Sequence, residues 1–300
     1  MLAKETSHRA PLHESNATLR GIYLLLASEI FFAGYNAIGK WLATGYSPVQ
    51  IIFFRGLFGL LPVAILVWQA GGRPALRSHS PGWQILRAVC SLTSNIAFIL
   101  AYRTMPLADA VAIGYASPIV VTALSVPLLS ERVGLHRWSA VVVGFAGILI
   151  IARPGTGVFG AGGLLAMAGT LFYALSILAT RRLAGRDQTV CTMVYSTGLY
   201  VLLCGLPLPF LWVTPSWPDL ALLAALGMVG GLGMFLFISA FRFAPASTLA
   251  PFDYTAIGWA ALFGFAVWGE IPGLYTVTGI LIIAASGLYI VHRERIRSAC

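Results

Sequence analysis

Ten apolar stretches of roughly 18 to 24 residues succeed one another along the chain, separated by short polar links. A run of that length spans a bilayer core as a helix. Lipid cannot satisfy exposed backbone groups, so the runs must close their hydrogen bonds internally as helices. The pattern predicts spans at 20–43, 48–69, 82–103, 107–130, 136–152, 160–182, 190–212, 217–241, 246–268 and 272–291. Turn chemistry marks the links. Ser47-Pro48 and Ser80-Pro81 each put a capping residue before a proline at the first helical position. Ser47 with Gln50 fits a capping box. Gly71-Gly72-Arg73-Pro74 and the stretch from Pro154 to Gly163 are breaks.

Composition agrees: 58% of the 300 residues are hydrophobic and 10% charged, against about 25% charged in a soluble domain. The alternation expected of a membrane barrel is missing. The polar first 19 residues read as a cytoplasmic tail and not a signal peptide, and 293–300 as a second tail. The net charge of +9 matters through its distribution. With the amino terminus inside, fifteen Lys and Arg fall at inner ends, three (Lys40, Arg103, Arg153) at outer ends, and Arg55 within a span. That asymmetry places both termini in the cytoplasm of a bacterial-type inner membrane and removes the reason to invoke nucleic acid.

The second half repeats the first. AYRTMPLADAVAIGY at 101–115 aligns with AFRFAPASTLAPFDY at 240–254, and the register holds to the pair Glu131/Glu270. Gly21/Gly162, Ala27/Ala168 and Phe31/Phe172 align the first and sixth spans, with Lys40 opposite Arg181. Five helices is an odd number, so two five-helix units, 20–153 and 160–292, insert in opposite orientations. The expected fold class is an all-α integral membrane protein of ten helices in two inverted repeats. Inverted repeats are the architecture of secondary transporters, with the site near the midplane where the halves meet.

Polar residues within the spans carry the candidate chemistry, because a charge at a helix centre costs about 2.5–3.5 kcal/mol on insertion scales. Glu29 shares a helix face with Ala33, Asn36 and Lys40. It reads as a proton carrier, a cation-binding group or a structural hydrogen-bonding residue. Asp253, beside Tyr254 and after Pro251, has glycine (Gly114) at its repeat position and is a second cavity candidate. Ser91, Ser94, Asn95, Phe98 and Tyr102 make one face of the third span. Phe172, Tyr173, Ser176 and Thr180 line the sixth. Both faces suit an amphipathic cavity or ordinary interhelical hydrogen bonds. Lys40, Arg55, Glu131 and Glu270 read as gate or structural charges, and Asp109 and Asp219 as acids favoured at helix starts. No cofactor or metal is expected. The four cysteines lack paired spacing. Gly155-Thr156-Gly157-Val158-Phe159-Gly160 follows no strand, so it does not read as a dinucleotide site.

Several of these segments also carry a resemblance: IFFRGLFG at 52–59, LR at 86–87, residues 101–131, their counterpart at 240–270, and a glutamate closing the fourth helix of each repeat. Together they resemble the EamA-type carriers of the drug/metabolite transporter superfamily over roughly residues 20 to 291. The Asn36-to-Lys40 spacing and the Ala250-Pro251 to Tyr254 segment are most similar to S-adenosylmethionine and riboflavin carriers. The resemblance implies a central cavity, no ATP hydrolysis, and a small organic substrate such as an amino acid, an amino-acid-derived metallophore, S-adenosylmethionine or riboflavin. A coupling proton, and a monomer or homodimer in the bilayer, are compatible with it. A channel or helper subunit is the alternative class, followed by an intramembrane enzyme.

Overall fold

The computed structural model describes residues 10–69, 71–72, 76–129, 135–152, 161–183, 187–244 and 246–299. Among these residues the regular structure is helical throughout, joined by short turns and links. The helices are α1 (Ala10–Ala43), α2 (Pro48–Gln69), α3 (Pro81–Tyr102), α4 (Leu107–Gly114), α5 (Ser117–Leu129), α6 (Leu135–Ala152) and α7 (Ala161–Leu183) in the first part. They continue as α8 (Thr189–Gly205), α9 (Leu208–Leu211), α10 (Trp217–Ala240), α11 (Ala246–Asp253), α12 (Thr255–Trp268) and α13 (Leu274–Ala299). Among the described residues, six stretches are long and apolar enough to cross a membrane: 18–43, 48–69, 81–102, 107–128, 161–183 and 217–240. Four shorter apolar helices accompany them.

The outward faces are apolar. Leu61, Val142 and Leu281 are largely exposed along their helices, while Trp68, Phe210 and Trp217 project near helix ends, where aromatic rings settle at a membrane interface. Inside, α1 packs along α10 and α12, and α7 packs along α3, α4 and α5. On the flanks α2 lies against α8 and α10, and α6 against α13. The largest buried cluster joins α4 to residues of α1, α3, α6, α7, α12 and α13. The fourth-span segment therefore sits at the centre of the molecule.

Small residues set the closest approaches. A Cβ on Gly279 would lie 2.8 Å from the carbonyl oxygen of Gly147, and one on Gly147 would lie 3.1 Å from that of Gly279. Backbone cannot move aside as a side chain can, so α6 and α13 would have to separate. Gly279→Ala is expected to cost about 1–3 kcal/mol and to lower the unfolding temperature in detergent by several degrees. Gly198→Ala, where nothing lies within 4 Å, should not. Equal melting of the two variants would refute the packing argument.

The structure differs from the sequence pattern at four places. Helix α1 begins at Ala10, inside the segment expected to be a tail. The stretch expected as one helix over 107–130 is broken at Tyr115 and Ala116, and that over 246–268 is broken at Tyr254. Pro118 supplies no N–H to the carbonyl of Gly114, and the ladder tightens there, with Ala116 N donating to Ile113 O and Ile119 N to Ala116 O. The seventh stretch ends in a separate turn, α9.

Candidate functional site

The two helix breaks face each other. The rings of Tyr115 and Tyr254 lie 5.8 Å apart. Glu29, on α1, is fully buried beside them. Its Oε2 accepts a hydrogen bond from the Tyr115 hydroxyl at 2.9 Å, and its carboxyl lies within electrostatic reach of that of Asp253. Glu29 Oε1 has no donor. A buried acid from the first half of the chain and a half-buried acid from the second half thus come near each other at two interrupted helices. Broken helices at membrane depth are tolerated where protein or a water-filled cavity satisfies the freed backbone.

Tyr173, on α7, joins this pair to a cavity. It is 45% exposed although it sits at the middle of its helix, and it lies within electrostatic reach of Asp253, Glu29 and Arg87. The cavity holds about 340 Å3 and is lined by Arg87, Ser91, Tyr173, Ser176, Ile177, Thr180 and Arg181. Its volume falls in the range of about 300–1,000 Å3 usual for small-molecule sites. Arg87 donates through Nε to Thr180 Oγ1 at 2.8 Å and through Nη1 to Ser196 Oγ. Tyr200 donates to Ser91 Oγ at 2.6 Å. Thr180 and Arg181 mark the C-terminal end of α7, so the cavity opens toward that end of the bundle.

Toward the opposite end, side-chain contacts tie the two halves together. Lys40 Nζ forms an ion pair with Glu270 Oε1, donates to Met105 O at 3.2 Å and lies 4.9 Å from the centre of the Trp268 ring. Glu270 Oε2 accepts from Leu107 N at 2.9 Å, at the start of α4, where the helix dipole favours an acid. Gly269 makes this geometry available. Its φ of 68° ends α12 in the left-handed region, which only glycine enters at little cost. Arg103 donates to Ala43 O and Tyr46 O at 2.5 and 2.6 Å. Tyr46 donates to Asp219 at 2.8 Å. Gln50 and Val213 exchange two hydrogen bonds.

A latch also exists at the cavity end. Asp187 accepts from Ser78 Oγ, His79 N and Gln84 Nε2 at 2.5, 2.7 and 2.8 Å. Desolvation alone would raise its carboxyl pKa, but the three donors outweigh it and hold the group down to about 2. The latch therefore keeps its charge at neutral and mildly acidic pH.

Of the residues singled out in the sequence, Glu29, Tyr173, Asp253 and Tyr254 converge here. Asn36 accepts from Tyr102 Oη at 3.2 Å. Asn95 accepts from Arg55. Lys40 and Glu270 meet at the end opposite the cavity. Arg55 makes no ion pair among the described residues; besides Asn95 it stacks 4.7 Å from the Tyr35 ring centre. Asp109 accepts from Thr276 Oγ1 at 2.7 Å, tying α4 to α13. Glu131 and the glycine run 155–160 lie outside the described residues. Sequence reasoning gave no site role to Tyr115 or Arg87. Tyr115 was visible as the repeat partner of Tyr254, and Arg87 as an arginine six residues into a span.

Interrupted helices beside a buried acid, in an apolar-surfaced helical bundle, fit a membrane transport protein. The chain belongs to the EamA-like transporter family, whose pattern matches residues 19–153 and again 160–292. It is similar to the S-adenosylmethionine uptake transporter of Rickettsia prowazekii (strain Madrid E), 26% identical over 281 residues, covering 92% of this chain and 94% of that one. The riboflavin transporter of Rhizobium johnstonii is 27% identical, covering 93% of each chain. The pseudopaline exporter of Pseudomonas aeruginosa is 28% identical, covering 88% and 94%. A solved crystal structure shares the fold with a TM-score of 0.62 at 18% identity, covering 94% of this chain and 98% of that chain. The protein is thus a multi-pass bacterial membrane transporter of small metabolites.

Proposed function

We propose that this chain is a secondary carrier that moves one small organic metabolite by alternating access, without ATP, through two inverted five-helix repeats. The observation that carries the proposal is the Glu29–Asp253 pair. Each half supplies one acid, and the cavity near them reaches the C-terminal end of α7. Counting the four shorter apolar helices as spans gives ten.

Paired contacts support the inversion. A Cβ on Gly21 would lie 2.9 Å from Ala244, and one on Gly162 would meet Thr104 and Met105. Met105 and Ala244 occupy the same repeat position, as do Gly21 and Gly162. Tyr46 with Asp219 at one end mirrors Asp187 with Ser78 and His79 at the other. The two helix breaks fall at equivalent tyrosines. In this reading Lys40 and Glu270 form the outer gate, their repeat counterparts Arg181 and Glu131 serve the inner end, and the described state faces inward. A channel would require a path through both ends, and the closure around Lys40 argues against it.

S-adenosylmethionine, riboflavin and amino-acid-derived metallophores, the cargoes named for the relatives, are the first substrates to test. Liposomes preloaded with one of them should accumulate external label by counterflow without ATP, and a proton gradient should change the rate. Transport strictly dependent on a partner ATPase would overturn the proposal. Orientation has its own test. In a background with Cys90, Cys191, Cys204 and Cys300 replaced by serine, Gly45→Cys should react with an impermeant maleimide from outside whole cells. His79→Cys, whose position is 68% exposed, should react only after the membrane is opened. Labelling of both from one side would end the inverted-repeat reading.

A further inference from the structure

Two clamps join the halves of the chain, one at each end of the bundle. Each fastens the link between the first and second spans of one half to the start of the third span of the other half. At the Lys40 end the link runs from α1 to α2. Tyr46 donates to Asp219 Oδ2 at 2.8 Å, and the buried Gln50 exchanges bonds of 2.6 and 3.0 Å with the backbone of Val213. At the cavity end the link runs from α7 to α8. Asp187 accepts from Ser78 and His79, and the buried Gln84 donates to Asp187 and to Thr192 Oγ1. Tyr46 and Asp187 occupy the same repeat position, as Gly21 and Gly162 do.

Both clamps are closed in the same state, and this separates them from a gate. The cavity reaches the C-terminal end of α7 at Arg181 while the clamp at that end is closed, so this clamp does not shut it. Inverted halves reach the opposite-facing state by exchanging their conformations. The exchange turns each clamp into a copy of the other. Since both are closed before it, both are closed after it. Energetics point the same way. The Asp187 side chain has no exposure, and opening its clamp would strip three donors from a charged group that water does not reach. Gln50 and Gln84 are buried as well, and a buried amide that loses its partners is costly.

We propose, on the carrier reading, that both clamps stay closed through the whole transport cycle and act as the pivots about which the halves rock, whereas the Lys40–Glu270 pair breaks in every cycle. The α1–α2 and α7–α8 links then hold still against the starts of α10 and α3. The movement falls where the turn after α12 meets α1.

The test uses the full-length protein in lipid nanodiscs, with its four cysteines replaced by serine and spin labels on new cysteine pairs. Distances between labels are read by electron paramagnetic resonance. Thr44→Cys with Trp217→Cys flanks one clamp, and His79→Cys with Gln188→Cys flanks the other. Thr44→Cys with Ile271→Cys spans the Lys40–Glu270 pair. All five positions are exposed and lie outside the hydrogen bonds that close the clamps. Each clamp pair should give a single distance that Lys40→Met leaves unchanged. The pair across Lys40–Glu270 should give two distances and shift to the longer one in Lys40→Met. A covalent version adds a functional readout. A disulfide between Ser78→Cys and Asp187→Cys should keep counterflow within about twofold of the reduced protein, whereas bridging Lys40→Cys to Glu270→Cys with a short bifunctional thiosulfonate should slow it at least about tenfold, reversibly with reductant. Two distances at either clamp pair, or a tenfold loss at Ser78–Asp187 that reductant reverses, would overturn the inference and leave the carrier standing. One unchanged distance at all three pairs, with no counterflow of any cargo, would remove the carrier reading and the pivots with it.

Discussion

Glu29→Gln is expected to reduce both accumulation and exchange of the substrate at least about tenfold in proteoliposomes, with the protein folded and inserted. Glutamine keeps the shape of the side chain and can still accept from Tyr115 through its amide oxygen. The substitution removes the negative charge beside Asp253, so the pair's capacity to hold a cation is lost. Tyr115→Phe removes only the hydroxyl that orients Glu29. It should slow transport severalfold, in keeping with about 1.5–3 kcal/mol for a hydrogen bond to a charged group, part of which a water in the cavity restores. Loss of accumulation with exchange intact would assign Glu29 to the coupling proton and not to the substrate. Normal rates in both assays would make it a structural residue.

Glu29 was legible because lipid makes a charge in an apolar run conspicuous, and Asp253 because its repeat position holds glycine. That the two come near each other was not legible. Contact between the first and ninth spans depends on how the halves dock, and no periodicity within one helix encodes it. The breaks at Tyr115 and Tyr254 were hidden for another reason. Apolar residues continue through both, and the proline at 118 acts on a carbonyl four residues earlier, so hydropathy reads each as an unbroken span. Arg87 was counted among the inner-end charges that orient the chain, and its depth in α3 became informative only when α7 and α8 placed Thr180 and Ser196 around it. Arg55 shows the opposite limit. An embedded arginine suggests an ion pair, yet Asn95 and the Tyr35 ring satisfy it without a carboxylate.

The outer closure leads to the last expectation. Lys40 comes from α1, Glu270 from the turn after α12, and Leu107 N and Met105 O from the link into α4. Lys40→Met keeps most of the stem packed on Trp268 and removes the charge. The lysine side chain is 8% exposed and that of Glu270 24%, so Glu270 would keep one backbone donor and partial access to water. Breaking a fully buried pair costs about 3–5 kcal/mol; partial exposure lowers this to about 2 kcal/mol. Because the pair unites the halves only when this end is shut, its loss should fall mainly on the closed state. A shift of about 1.4 kcal/mol is tenfold in population. The rate at which an impermeant maleimide added from the Gly45 side labels Tyr173→Cys should therefore rise about tenfold in Lys40→Met. Adding Glu270→Gln should recover much of the lost unfolding temperature, since no unpaired acid remains, while labelling stays fast because the gate is still absent. A lowered unfolding temperature with unchanged labelling would make the pair a structural tie and not a gate.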